Sequence, residues 1–375
     1  GRRADLPRVL FWAGGFAPVG GIESFLHDAI LGLRDQGVDT RLACWGPESR
    51  LLRSLNGAGV PVSRLGWRWG CRWNAPDWAL LATHGAAVEE ADVVVFGKLM
   101  PVGVHRRLVS AGRPRFVLVT PYRPAEMWSA GALPGDVLQS LDAIVVQAAS
   151  FAEDLRALSY AGRIERIPYV PPECLAPAPL PHGPLRVGFL GRLAPQKNLG
   201  YLLEAMRILN DSQDVTLDLF GDGAEREPLL AIASRLGLAS RVRFHGAISP
   251  ERVPDAVDSC HVFAFSSISE GQCLAALEVL SRGRAVAATP VGAFPEMLAD
   301  SRLGTVCPLN SAAALAAGIR ALGQRALNTP GSVDAIQQAY RETYGRGTVI
   351  SRYAALFGEL AGIPGPRTAQ RPVAV

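Results

Sequence analysis

The sequence predicts an α/β protein made of two doubly wound parallel sheets, with a ligand cleft between the two domains. Three observations carry that prediction. Short apolar, β-branched runs alternate with amphipathic helical stretches, the pattern of parallel strands covered on both faces. The alternation halts at 168–184, where seven of 17 residues are proline, and then restarts. At 375 residues the chain is long enough for two domains that each bury a core.

In the first half, strands are expected over 9–12, 40–44, 93–96, 116–119, 143–146 and 164–167, with helices over 22–36, 76–89, 101–110 and 150–159. The first helix places Ile22, Phe25, Leu26, Ala29, Ile30 and Leu33 on a 3.6-residue period, and Gly37 stops it. The prolines fit neither a helix interior nor a central strand, so 171–184 reads as a stiff linker. In the second half, strands are expected over 186–190, 216–220, 242–245, 262–266, 285–288 and 305–306, and helices over 199–209, 225–236, 273–281 and 312–322. An amphipathic helix over 346–362 is expected to cross back to the first domain, and 363–375 to be a disordered tail. The division that follows is a first domain over 1–170, the linker, a second domain over 185–345, and these two terminal pieces.

Composition removes several classes of function. A net charge of +4 gives no electrostatic case for nucleic acid, although it permits weak attraction to an anionic membrane surface. Lysine is confined to Lys98 and Lys197 and every other basic residue is arginine, a bias that points to a GC-rich bacterial genome. Cys44, Cys71, Cys174, Cys260, Cys273 and Cys307 form no C-x-x-C pair, and no histidine stands at zinc-ligand spacing. They read as free thiols of a reducing compartment. No apolar run spans a bilayer. The apolar start at 9–13 is broken at once by Gly14, Gly15, Gly20 and Gly21, so it reads as a buried strand rather than a signal peptide. The expectation is a cytoplasmic protein, peripheral at most on the inner face of the membrane.

The chemistry concentrates in the second half. Glu270 and Glu278 bracket the start of the helix over 273–281. A helix N-terminus offers unpaired N–H groups and partial positive charge, which suits a diphosphate, and the flanking acids would hold polyhydroxylated groups on either side. Arg192 and Lys197 stand in a strand-to-helix loop, GRLAPQKN, where two cations would neutralise charge developing on a departing diphosphate. The alternative is a surface loop with two solvated charges. Gly221 and the His245-Gly246 pair end successive strands and would let the backbone line a nucleotide base; His245 alone reads equally well as a packed or solvent-facing histidine. Gly20 and Gly21 would approach a ligand closely. Their loop is not G-x-G-x-x-G and no acid stands at the offset for a dinucleotide ribose, which argues against a nicotinamide site. Neither Asp-x-Asp nor a histidine cluster is present, so no metal is expected. Between 64 and 73 three tryptophans interleave with three arginines. Trp67 and Trp69 there would dock an acceptor or lipid headgroup, the alternative being a loop whose indoles fold inward.

GRLAPQKN, DLFGDGAEREPL, RVRFHGAIS and SEGQCLAALEVLSRGRAVAATPVGAFPEML together resemble the family 4 glycosyltransferases, which are retaining enzymes of GT-B fold with two Rossmann-like domains. The resemblance runs from about 186 to 300 and is fainter at GGIE and DAIVVQAASFAEDLR. It implies that Arg192 and Lys197 bind the donor diphosphate, that Glu270 contacts the transferred sugar, and that Glu278 holds the ribose. The backbone at Gly271, Cys273 and Leu274 would meet the phosphates, with Gly20 and Gly21 approaching from the first domain. The family's Gly-Phe-Gly is here Gly271-Gln272-Cys273, and the glycine usual after the lysine is Asn198. Where many relatives carry a histidine, this chain has Thr120, Pro121, Tyr122, Arg123 and Pro124; Tyr122 or Arg123 would take over acceptor-side work. The implied activity is transfer of a hexosyl unit from a nucleotide sugar to a hydroxyl of a sugar, glycolipid or small molecule, without cofactor or metal, in polysaccharide or glycolipid assembly. A non-catalytic partner subunit of the same fold and a nucleotide-sugar epimerase are the alternatives.

Overall fold

The computed structural model describes residues 6–15, 21–65, 77–97, 101–109, 114–120, 122–176, 178–309 and 311–363. Its first sheet contains β1 (Arg8–Gly15), β2 (Asp39–Trp45), β3 (Val62–Leu65), β4 (Val93–Phe96), β5 (Arg115–Val119), β6 (Ala143–Val146) and β7 (Arg163–Arg166), ordered β3-β2-β1-β4-β5-β6-β7. Its second contains β8 (Leu185–Leu190), β9 (Val215–Phe220), β10 (Val242–Gly246), β11 (Val262–Phe265), β12 (Ala285–Ala288) and β13 (Gly304–Val306), ordered β10-β9-β8-β11-β12-β13. Every neighbouring pair of these strands is parallel.

The central strands explain themselves. Val93, Val94, Val95 and Phe96 are all buried, as are Val262, Phe263, Ala264 and Phe265. A parallel strand with helices on both faces has no solvent side, so its sequence is apolar throughout rather than alternating. The edge strand β3 was not expected. Its Val-Ser-Arg-Leu run is half exposed and carries no such apolar signal.

The chain divides into two compact units. The first is Gly1–Val146, Ser150–Val170 and Gly347–Val375; the second is Gln147–Ala149 and Pro171–Arg346. The helix Arg346–Leu360 thus has nearly all its length in the first unit. Phe357 meets Phe11 edge-on at 6.3 Å between centroids, and Tyr353 lies 5.9 Å from Phe25. The helix Ser332–Tyr344, which sequence periodicity did not single out, buries Ile336, Ala339, Tyr340 and Tyr344 in the second unit's core.

The proline-rich stretch is bound to the second unit rather than standing free as a linker. Proline has no N–H to contribute to a ladder, so these carbonyls take donors from side chains. Arg346 donates to Pro171 O at 2.9 Å, Tyr340 to Pro172 O at 3.1 Å and Gln337 to Leu175 O at 3.0 Å. The fully buried Arg284 donates to Ala178 O and Pro179 O, and His261 Nε2 to Pro181 O at 2.8 Å. Among the described residues Cys44, Cys174, Cys260, Cys273 and Cys307 are free thiols; Cys71 lies outside them. No helix among the described residues is long and apolar enough to cross a membrane.

Candidate functional site

Strand order locates the site. The chain steps outward from β8 to β9 and β10, then returns to the other side of β8 to add β11. Loops leaving the carboxyl ends of β8 and β11 therefore diverge in opposite directions, and the gap at such a reversal is where doubly wound sheets bind ligands. Arg192 and Lys197 lie in the loop after β8, and Glu270 and Gly271 in the loop after β11.

The two loops are stitched together. Ser266 Oγ donates to Lys197 O at 2.8 Å, and Ile268 N–H donates to Gln196 O at 2.9 Å. Lys197 Nζ lies 2.6 Å from Glu270 Oε1, and that oxygen also accepts the Ser267 hydroxyl at 2.6 Å. Thr289 Oγ1 donates to Ser267 O at 2.5 Å, and Ala293 N–H to Gly271 O at 2.9 Å. A Cβ on Gly292 would collide with the carbonyl oxygens of Glu270 and Gly271, so only glycine lets this loop close behind the acid. Gln196, Ser266, Ser267, Thr289, Gly292 and Ala293 were missed as site residues. Their one legible signal was the Ser-Ser pair directly after the apolar strand β11.

The cations differ. Burial pushes the Lys197 ammonium down, while the charge and hydrogen bond of Glu270 push it up further, so its net shift is upward. Burial also pushes the Cys273 thiol far up, which keeps it neutral at pH 7 and leaves Glu270 as the anion holding Lys197. Arg192 is exposed, with no hydrogen-bond or ion-pair partner among the described residues, and its charge acts on Lys197.

Two helices start here without side-chain caps. Asn198 precedes Leu199–Asn210 at φ 50°, and Cys273 precedes Leu274–Ser281 at φ 58°. Only one other described non-glycine residue, Ser159, has positive φ. Sparsely populated backbone states persist where surrounding structure enforces them, often at binding sites. Leu274 opens the second helix, and its first amides have no earlier turn to bond to. Glu278 lies further along the same helix, close enough to act on the Cys273 thiol.

Gly221 and His245 both have packing roles, the second of the two readings the sequence left open for His245. A Cβ on Gly221 would land on Gly191 O, and Gly191 N–H bonds Phe220 O at 2.9 Å. The glycine thus serves the packing of the Arg192 loop. His245 Nε2 lies 2.7 Å from Asp218, which is fully buried, and the ring stacks on Phe220 at 4.5 Å. In the first unit, Arg123 forms a two-pronged pair with Asp154 at 2.8 and 3.1 Å, so its guanidinium anchors the helix Pro124–Ser129. Tyr122 is 60% exposed, and Gly21 begins the helix Gly21–Asp35. Gly20, Trp67 and Trp69 lie outside the described residues. Among the described residues no group of three or more His, Cys, Asp or Glu side chains is placed to hold a metal ion.

Residues 175–340 match the family described as glycosyl transferases group 1. A D-inositol 3-phosphate glycosyltransferase of Streptomyces scabiei is 31% identical over 190 residues, 48% of this chain and 42% of that protein. A 2-deoxystreptamine glucosyltransferase of Streptomyces kanamyceticus is 32% identical over 162 residues, 43% of this chain and 40% of that protein. The matched stretch thus spans less than half the length of these curated relatives. Anabaena Alr3699/HepE in complex with UDP superposes with a TM-score of 0.74 at 18% identity, over 94% of this chain and 100% of that one. Sucrose-phosphate synthase from Thermosynechococcus elongatus does so at 0.77 and 17%, over 95% and 99%. At such identities the likeness establishes the fold, which is GT-B with two Rossmann-like domains.

Proposed function

We propose that this chain, whose residues 175–340 match the family model for glycosyl transferases group 1, is a retaining glycosyltransferase, moving a hexosyl unit from a nucleotide sugar to an acceptor hydroxyl. The observation that carries the reading is the Lys197–Glu270 pair at the switch point of the second sheet, with Arg192, unpaired among the described residues, beside it and an uncapped helix N-terminus behind.

Each part has a task. The diphosphate lies against the first amides of Leu274–Ser281, where backbone N–H groups and the helix dipole favour negative charge. Arg192 and Lys197 meet the charge that grows on the leaving phosphate oxygen as the bond to the sugar carbon breaks. Glu270 accepts hydrogen bonds from sugar hydroxyls and Glu278 from the ribose. The acceptor oxygen bonds to the same face of that carbon, and the departing diphosphate takes its proton, so configuration is retained without a strong side-chain base. No metal enters this scheme, and EDTA is expected to leave turnover unchanged.

Anabaena Alr3699/HepE has been solved with UDP-glucose, and the sequence relatives act by name on D-inositol 3-phosphate and 2-deoxystreptamine. UDP-glucose is therefore the first donor to try, and polyhydroxylated cyclohexane rings the first acceptors. A thermal-shift screen with UDP, GDP, ADP and dTDP identifies the base. Lys197→Ala is expected to lower kcat about 100-fold, the scale for losing one transition-state donor. Unchanged turnover in a folded Lys197→Ala protein would overturn the assignment.

A further inference from the structure

Lys197 and Glu270 hold each other before any ligand arrives. Their side chains are 15% and 8% exposed, and the ion pair shares Glu270 Oε1 with the Ser267 hydroxyl. Oε1 is thus engaged twice, while Oε2 makes no hydrogen bond among the described residues. Thr289 fixes Ser267 from behind, and Gly292 and Ala293 fix the backbone that follows Glu270. The carboxylate is therefore held in place next to the buried cation of the diphosphate site.

We propose that Glu270 discriminates between the nucleotide sugar and the nucleoside diphosphate released from it, disfavouring the second. This rests on the donor site proposed above. A nucleotide sugar presents hydroxyls, which donate to Oε2, and its outer phosphate is esterified. The product presents no hydroxyl there, and its outer phosphate has one more ionisable oxygen. That oxygen meets the Glu270 carboxylate and competes with it for Lys197. Like charges a few ångströms apart in a partly covered site repel strongly, far more than in open water. One carboxylate thus supports the donor and hastens departure of the spent nucleotide.

Titration calorimetry of UDP, UDP-glucose and inorganic pyrophosphate into the wild type, Glu270→Gln and Glu270→Asp tests this; the matched pair of another base is used if the thermal screen selects it. In Glu270→Gln, UDP and pyrophosphate are expected to bind about tenfold more tightly, and UDP-glucose no more tightly than before. Glu270→Asp keeps the charge and is expected to leave the UDP to UDP-glucose ratio within about threefold of wild type. Glu270→Ala, a second neutral variant, is expected to repeat the sign if glutamine disturbs the loop. An unchanged ratio in the neutral variants, or equal tightening of both nucleotides, overturns the inference and leaves the donor site standing. A wild type that binds no nucleoside diphosphate and no nucleotide sugar overturns both.

Discussion

In the second sheet the loops after β8 and β11 are joined by two hydrogen bonds and an ion pair, and their charges face one another. In the first sheet the loop after β5 directs its arginine to Asp154 and leaves Tyr122 uncovered. Both sheets reverse direction beside their first strand, between β1 and β4 and between β8 and β11. The shared winding therefore does not determine what a carboxyl end does. A site for a polyanion needs fixed cations, open amides and a loop that cannot shift. The loop after β5 shows none of that bracing, only an exposed ring beside a paired arginine.

The contrast can be broken or sharpened by experiment. The largest effect is expected at Gly221, where a side chain meets Gly191 O and φ is 143°. Gly221→Ala is expected to cost about 3–5 kcal/mol in urea unfolding, with loss of nucleotide binding, because backbone strain and overpacking act together. A stable Gly221→Ala protein would show that the Arg192 loop is less constrained than argued.

Acid is expected to weaken the first unit next. Burial pushes both His84 and His105 from 6.5 down to about 4. Their unfolded forms take up protons that the folded forms refuse, so this stabilisation is complete above pH 6.5 and is lost as pH falls toward 4. Between pH 7 and 5 the two together are expected to remove about 4 kcal/mol. His105→Phe should flatten that dependence in a pH series of unfolding curves.

A smaller effect separates neighbours on one loop. Arg123→Ala is expected to lower stability by about 1 kcal/mol or less, the range for a partly exposed ion pair, and to leave the acceptor KM unchanged. Tyr122→Ala is expected to raise that KM without altering the melting temperature. The reverse pattern would return Arg123 to the acceptor.

The smallest effect is a gain. Cys273→Gly relieves a side chain held at φ 58°, ψ 79° and is expected to stabilise by up to about 1 kcal/mol in urea unfolding. A loss would mean that the Cys273 side chain packs favourably enough to outweigh its backbone.

What was legible in the chain follows the same division. Strands β4, β6 and β12 match their expected limits, because a strand buried on both faces is apolar from end to end. Arg192, Lys197 and Glu270 were legible as candidates because charged residues at strand-to-helix junctions interrupt an apolar pattern, and Glu278, inside the helix that follows, through its spacing from Glu270 and the family resemblance. Ser267 was not, since its importance lies in one hydrogen bond to a residue three positions away. Gly221 was noticed for its missing side chain, and a sequence does not show whether a ligand or a carbonyl such as Gly191 O fills the space. Asn198 and Cys273 look like departures from glycine, yet both keep the left-handed backbone that glycine would adopt easily. Arg123 could not be assigned, because Asp154 lies 31 positions away and only the folded sheet brings them together.

The proline segment has a practical consequence for dissecting the chain. A fragment starting at 185, where the β–α alternation resumes, would cut away Ala178 and Pro179 and strip the guanidinium of Arg284 of two carbonyl acceptors. It would also expose the His261 ring edge that Pro181 covers. A fragment starting at 171 retains all of these, so the excision point for the second unit lies before the prolines and not after them.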